Sequence, residues 1–406
     1  MRTPQGHLTY CTNIHAGESW TDHFAALRQN IPGIKKRISN DQPFGIGLRL
    51  SHQASLQLQQ TEELNTFKDW LKKERCYVFT MNGFPYGGFH HTKVKDHVHS
   101  PDWTTPERVS YTIRLFNILA ELLPGGMQGG ISTSPLSYKY WHRPDQQRDV
   151  FEKATNNILA VVEHLIQVKE KTGKVLHLDI EPEPDGLLES GPDFFDWYER
   201  HLLPIGEKFL QDRRGYNAER SAMAIKEHLQ LCYDVCHFAV GYEDHAAVVQ
   251  QLRSKKIKVG KIQISAALKA AMPDDITKRE PVVQAFRQFN ESTYLHQVVA
   301  RQGDGSFKRY PDLPEALNDA SNPSTKEWRS HFHVPLFIQD YGLLKSTQSD
   351  IGTVLSIQCK EPFTDHLEVE TYTWEVLPDA LKVPLSESII REMEWVISYL
   401  HNAEKK

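Results

Sequence analysis

Cysteine is scarce in this chain of 406 residues, which holds five: Cys11, Cys76, Cys232, Cys236 and Cys359. An odd, scattered set makes a poor disulfide framework, so stability has to come from a buried core, and reduced thiols are expected. Long apolar runs are missing as well. No stretch reaches the roughly 20 residues that a membrane-spanning helix needs, and the opening Met1-Arg2-Thr3-Pro4-Gln5-Gly6-His7 has no apolar leader core. The expectation is a cytoplasmic protein that is not membrane-embedded. Positive charge is thin: the formal net charge is −5 and the pI is near 6.5. The densest basic runs are Lys35-Lys36-Arg37 and Arg253-Ser254-Lys255-Lys256, less than the footprint of a nucleic-acid binder, and that class is set aside. Internal repeats and low-complexity tracts are absent too, which argues against a solenoid.

What is present is alternation. Short apolar runs and amphipathic stretches succeed one another, the pattern of parallel strands with helical crossovers. Strands are predicted at residues 10–14, 45–50, 77–81, 130–133, 175–180, 229–234, 258–264 and 367–370, with helices at 21–28, 55–73, 106–123, 146–171, 192–213, 244–254 and 387–403. Strand and helix units of this number predict an α/β fold, a (β/α)8 TIM barrel, over a doubly wound open sheet. A single domain spanning 1–406 is expected, with an insertion over 266–330 at the rim of the site, where Gly303-Asp304-Gly305 reads as a hairpin turn.

Chemistry collects at the carboxyl ends of these strands, where α/β proteins build their sites. Leu229, Leu231 and Tyr233 alternate into Asp234, followed by His237; Leu176-His177-Leu178-Asp179-Ile180 runs into Glu181 and then Glu183; Leu367-Glu368-Val369 runs into Glu370. Period-two alternation points Glu181, Gln263 and Glu370 into a barrel. Three carboxylates in one cleft would repel by roughly 4 kcal/mol per close pair at an effective dielectric near 20, and a divalent cation is the simplest remedy. His331 and His333 share one side of an extended stretch and suit metal ligation. Cys232 and Cys236, with no second pair, make a poor structural zinc site. His15, Arg49, Asn82, His90, Glu183 and Trp374 end strands or line adjacent loops and are candidates for substrate binding.

The runs Leu178-Asp179-Ile180-Glu181-Pro182, Cys232-Tyr233-Asp234-Val235-Cys236-His237, Lys261-Ile262-Gln263-Ile264-Ser265, His331-Phe332-His333 and Leu367-Glu368-Val369-Glu370-Thr371 resemble, in order, those of the xylose isomerase-like TIM barrels, a superfamily that includes sugar phosphate isomerases and epimerases and the endonuclease IV type of zinc enzyme. More narrowly, Asn82-Gly83-Phe84-Pro85-Tyr86-Gly87, Pro101-Asp102-Trp103-Thr104-Thr105 and residues 368–378 resemble the EboE branch, named for metabolite traffic. The resemblance implies that Glu181, Asp234, Gln263 and Glu370 are metal ligands, and that His237, His331 and His333 fall where multi-zinc nucleases add ligands. Gln263 stands where histidine is usual, and Asn82 where the nucleases have a histidine that His90 or His91 would have to replace. One or two ions (zinc, manganese or magnesium) are implied. The activity implied is isomerase- or epimerase-like proton transfer on a small polyhydroxylated metabolite, with Glu181 and Glu370 catalytic. A metal-dependent hydrolase or lyase with two ions, and a non-catalytic carrier handing a metabolite to a membrane protein, stay open as alternatives, as does a homo-oligomer.

Overall fold

The computed structural model describes residues 1–90 and 92–403, so His91, one of the two stand-ins for a loop histidine, lies outside the described residues. Nine strands form one sheet, a short antiparallel strand at Arg2–Thr3 and eight parallel ones: β1 (Gly6–Tyr10), β2 (Phe44–Arg49), β3 (Cys76–Asn82), β4 (Gly129–Thr133), β5 (Leu176–Ile180), β6 (Leu229–Asp234), β7 (Val259–Ile264) and β8 (His366–Val369). Each pairs with its successor from β2 to β8, and β8 pairs with β1 in the register Glu368 to Thr9. The last seam, β1 against β2, closes through a bridge between Cys11 and Gly47 and through the Thr9 hydroxyl, which donates to Gly45 O at 2.8 Å and accepts from Gly47 N at 3.0 Å. The sheet is a TIM barrel, as the alternation predicts.

Outward residues of the strands, such as Ile46, Val78, Leu178, Leu231 and Ile262, are fully buried under the helices. The interior departs from the usual packing of bulky branched side chains. His177, Asp179, Lys261, Gln263 and Glu368 all lie inside and all are buried. Lys261 Nζ pairs with Glu368 where neither side chain is exposed, and His177 Nδ1 lies 2.6 Å from Asp179 Oδ1. Two glycines make room for these charges: a Cβ at Gly47 would collide with the Glu368 carboxylate, and one at Gly260 with that of Asp179.

Some expectations are corrected. The first strand ends at Tyr10, and the predicted strand residues Thr12–Ile14 form a single helical turn. The helix predicted over 55–73 is two, His52–Leu58 and Thr61–Lys73. The one predicted over 192–213 is interrupted at Tyr198–Leu202 by a wider turn. Between β7 and β8 the chain builds a second, antiparallel sheet of six strands running from Leu268 to Ser346, well past residue 330. Its hairpin, Val298–Gln302 against Phe307–Tyr310, turns at the predicted glycines, and Val298–Gln302 also pairs with Thr325–Ser330.

Candidate metal centre

The barrel gathers the chemistry at its carboxyl-terminal mouth. Glu181 directly follows β5, Asp234 ends β6, Gln263 is the penultimate residue of β7 and Glu370 directly follows β8. One oxygen from each of Glu181, Asp234 and Glu370 can be chosen so that all lie within 4.8 Å of one another, and all three residues are buried. Burial, reinforced by the Asp234 charge, pushes Glu181 well above the usual carboxylate range, and burial with the Glu181 charge does the same to Glu370.

Gln263 sits in the middle of them with its amide nitrogen: Nε2 lies 3.0 Å from Glu181 Oε1, 2.9 Å from Asp234 Oδ2 and 2.7 Å from Glu370 Oε2. Its oxygen accepts from Cys232 Sγ at 3.1 Å. In this orientation Gln263 donates to the acids rather than offering them its oxygen. An NH2 group carries two protons and faces three acceptors, so one contact is left to a protonated acid or to a cation. Rotating the amide by half a turn would put Oε1 among the carboxylates, an arrangement that a cation or a protonated acid stabilises.

A second cluster lies beside the first. Asp234 caps the short helix Val235–Val240 and accepts from His237 N at 3.3 Å, which explains the Asp-x-x-His spacing: the cap turns the histidine back over the strand end. His331 and His333 follow the strand Thr325–Ser330 of the second sheet, so that sheet feeds the site rather than only edging it. Each ring has its Nδ1 against a carbonyl oxygen: His237 to Pro182 O at 2.8 Å, His331 to the Gln297 side chain at 2.7 Å and His333 to Glu370 O at 3.1 Å. A carbonyl can only accept, so Nδ1 carries the proton and each Nε2 is a bare lone pair. Those three lone pairs converge: His331 Nε2 is 3.2 Å from Nε2 of His237 and 3.2 Å from Nε2 of His333. Burial holds His333 down to about 4 and lowers His237 and His331 as well, so the rings stay neutral.

Neutral lone pairs do not bond to one another, and their convergence is the arrangement that a cation resolves. Nitrogen ligands about 2.0–2.1 Å from a tetrahedral zinc ion stand about 3.3–3.4 Å apart, close to the spacing here. Glu183 completes a group with His237 and His331, and Cys236 one with His331 and His333. Asp234 touches both clusters, with Oδ2 3.9 Å from His237 Nε2. Glu181 Oε2 and Glu183 Oε2 are buried with no hydrogen-bond partner. The donor set, carboxylates on one side and imidazoles on the other, therefore fits one hard and one borderline divalent cation.

The other candidates are distributed unevenly. Asn82 donates to Glu370 Oε1 at 2.8 Å, and Asn13, delivered by the turn after β1, donates to the same atom at 2.8 Å. His15 turns away from the pocket to the Tyr10 hydroxyl, 2.9 Å off. His90 Nε2 lies 2.6 Å from Asn13 O and so positions Asn13. Arg49 is held by Glu18 at 3.1 Å, behind Phe89. Trp374 packs against the main core. The structure thus moves His15, Arg49, His90 and Trp374 off the pocket wall and gives their place to Asn13, Phe84, Phe89, Tyr294 and Tyr372, around a cavity of about 50 Å³. Tyr372 was within reach of the sequence, two residues past Glu370 on an extended stretch, whereas nothing local marks Tyr294 or Gln297.

No family model and no curated protein matches this chain. Solved structures that resemble it are xylose isomerase-like TIM barrel proteins. An L-ribulose 3-epimerase is 10% identical over 98% of this chain and 96% of its own, with a TM-score of 0.49. A xylose isomerase domain protein from Planctomyces limnophilus is 11% identical over 99% and 98%, at 0.49. A xylose isomerase-like TIM barrel protein from Mycobacterium smegmatis, in complex with magnesium, is 9% identical over 94% and 90%, at 0.47.

Proposed function

We propose that this chain is a divalent-metal-dependent enzyme that acts at the barrel mouth on a small polyhydroxylated metabolite, moving a proton between neighbouring carbons as isomerases and epimerases do. One observation carries the reading: three buried carboxylates and three imidazole lone pairs face one another with Asp234 between them. Glu181, Asp234 and Glu370 would hold one ion, and His237, His331 and His333, with Glu183, a second. When bound, such a cation polarises a carbonyl and neutralises developing negative charge. The chain's own groups divide the remaining work. Glu181 is suited to carry the proton, because its Oε2 is buried with no hydrogen-bond partner and so is available to take one. Glu370 has Oε1 held by Asn13 and Asn82 and Oε2 by Gln263, which fixes it in place as an acceptor. The EboE resemblance adds a role in secondary-metabolite processing or traffic to this proposal.

The imidazole cluster favours a second reading, metal-assisted hydrolysis with two ions. Isotope labelling separates the two. Incubated in D2O with a panel of ketoses, aldoses and cyclitols, free and as their alkyl and benzyl derivatives, an isomerase or epimerase places deuterium on carbon next to the carbonyl, and Glu181→Gln abolishes the exchange. Hydrolysis of esters of the same compounds, with one oxygen from H2(18)O in the released acid and no carbon-bound deuterium in the sugars, would replace the first reading by the second. Retained metal with neither label incorporated would contradict both.

A further inference from the structure

Above the polar floor the pocket changes character. Its walls are Phe84, Phe89, Val94, Val98, Tyr294 and Tyr372. Three of these rings form a mutual cluster: Phe89 stands 5.2 Å from Tyr294 and 5.2 Å from Tyr372, and Tyr294 and Tyr372 are 5.0 Å apart. They come from three separate segments, the loop after β3, a connection between two strands of the second sheet and the loop after β8, and they form, with Val94, an apolar cluster separate from the main core. Tyr294 spends its hydroxyl on Phe89 O at 2.9 Å, leaving its ring as wall. The floor, by contrast, is Asn13, Asn82, Glu181, Glu183, His237 and Glu370.

Among the described residues the pocket also lacks a free anchor for an anion. Lys95 is the one cationic side chain among the described residues that line it, and its Nζ is 2.6 Å from Asp312 Oδ2. Four carboxylates, those of Glu181, Glu183, Asp234 and Glu370, against two divalent cations leave a loaded site close to neutral. A phosphate ester would bring negative charge that nothing here is free to meet. A simple sugar would bring hydroxyl groups to walls that offer it few partners, which costs desolvation.

From these observations, and resting on the metal-site reading above, we infer that the substrate is amphipathic: an uncharged oxygen-bearing head seated on the floor and an apolar or aromatic body that extends outward against the wall formed by Phe89, Tyr294, Tyr372 and Val98, with no phosphate. Bodies of this kind gain by burying apolar area and by stacking on the rings.

Hydroxamates share one metal-binding head and differ in body, so they test the inference directly. The full-length protein loaded with cobalt(II) is titrated with acetohydroxamate, phenylacetohydroxamate, D-arabinonohydroxamate and phosphonoacetohydroxamate, and binding is read from the visible cobalt spectrum. Phenylacetohydroxamate is expected to bind at least tenfold tighter than acetohydroxamate, with the polyol and phosphonate forms no tighter than acetohydroxamate. Equal affinities, or a preference for the polyol or the phosphonate, overturn the inference while leaving the metal site standing. Failure to take up cobalt, or no spectral response to acetohydroxamate, overturns the metal-site reading and the inference with it. Val98 is half-buried at the rim, so Val98→Asp alters the wall with little risk to folding. That variant is expected to lose about tenfold affinity for phenylacetohydroxamate and less than threefold for acetohydroxamate, and equal losses count against the apolar body.

Discussion

At the scale of single residues, the account turns on protons. Three Nδ1–H groups fixed by carbonyl oxygens leave three Nε2 lone pairs without protons, and removing one should remove one ion. His331→Asn is expected to lower zinc stoichiometry from about two to about one per chain, measured by elemental mass spectrometry after desalting, with an unchanged circular dichroism spectrum; two ions retained would refute the pairing of that ion with the imidazoles. Glu370→Gln is expected to weaken binding at the carboxylate cluster by more than the roughly 10–100-fold that changes to groups behind the ligands cost, as read by chelator competition. A group away from the site carries a pH prediction. Glu392 is buried, accepts from Leu336 N at 3.1 Å and Thr371 Oγ1 at 2.6 Å, and is pushed up by burial to about 7. Its folded value lies above its unfolded one, so no cost exists below the unfolded value of 4.5. Stability falls as pH rises between the two and levels off above 7, for a loss of about 3 kcal/mol. Urea unfolding of Glu392→Gln should show about 2.5 kcal/mol less decline between pH 5 and pH 8 than the parent, and identical slopes would be evidence against the buried neutral acid.

At the scale of elements, the polar barrel interior is the unusual feature, and the glycines that accommodate it are the place to probe. Gly260→Ala puts a methyl group onto the Asp179 carboxylate, so it is expected to cost several kcal/mol by denaturant unfolding, of the order of a severe overpacking. Asp179→Ala in the same chain should recover part of that loss, with a coupling of about 2 kcal/mol; purely additive effects would contradict the close approach. How legible these elements were follows from how local their signals are. Strands β2 to β8 could be placed within a residue or so because apolar alternation is written in the strand itself. The error at β1 has a reason: Tyr10-Cys11-Thr12-Asn13-Ile14 keeps an apolar alternation although the chain leaves the sheet at Tyr10. The break between the helices at 58 and 61 has no proline or glycine to announce it. The second sheet was read only at its hairpin, since Leu268–Ala271 pairs with Thr325–Ser330 across a long stretch of chain, beyond the reach of any local pattern.

At the scale of the whole molecule, the site is assembled from both sheets. β5, β6, β7 and β8 bring the acids and Gln263, and the second sheet brings His331 and His333 together with Gln297, which orients one of them. The sequence marked most of the candidate ligands by their strand-end positions, but the convergence of the lone pairs was illegible, because it depends on Pro182 and Gln297, far from the histidines they orient. Ions held between the two sheets should tie them together. Removing them with dipicolinate is expected to lower Tm by several degrees in a way that depends on free metal concentration, since a ligand that binds only the folded chain stabilises it by mass action. An unshifted Tm on chelation would mean that the clusters hold together without ions. The most direct test is anomalous diffraction from crystals of the purified protein soaked in zinc or manganese. The account expects two peaks at the barrel mouth, one within ligand distance of His237, His331 and His333 and one among Glu181, Asp234 and Glu370. A mouth with no anomalous peak, its imidazoles bridged by water and its acids sharing protons with Gln263, would contradict it.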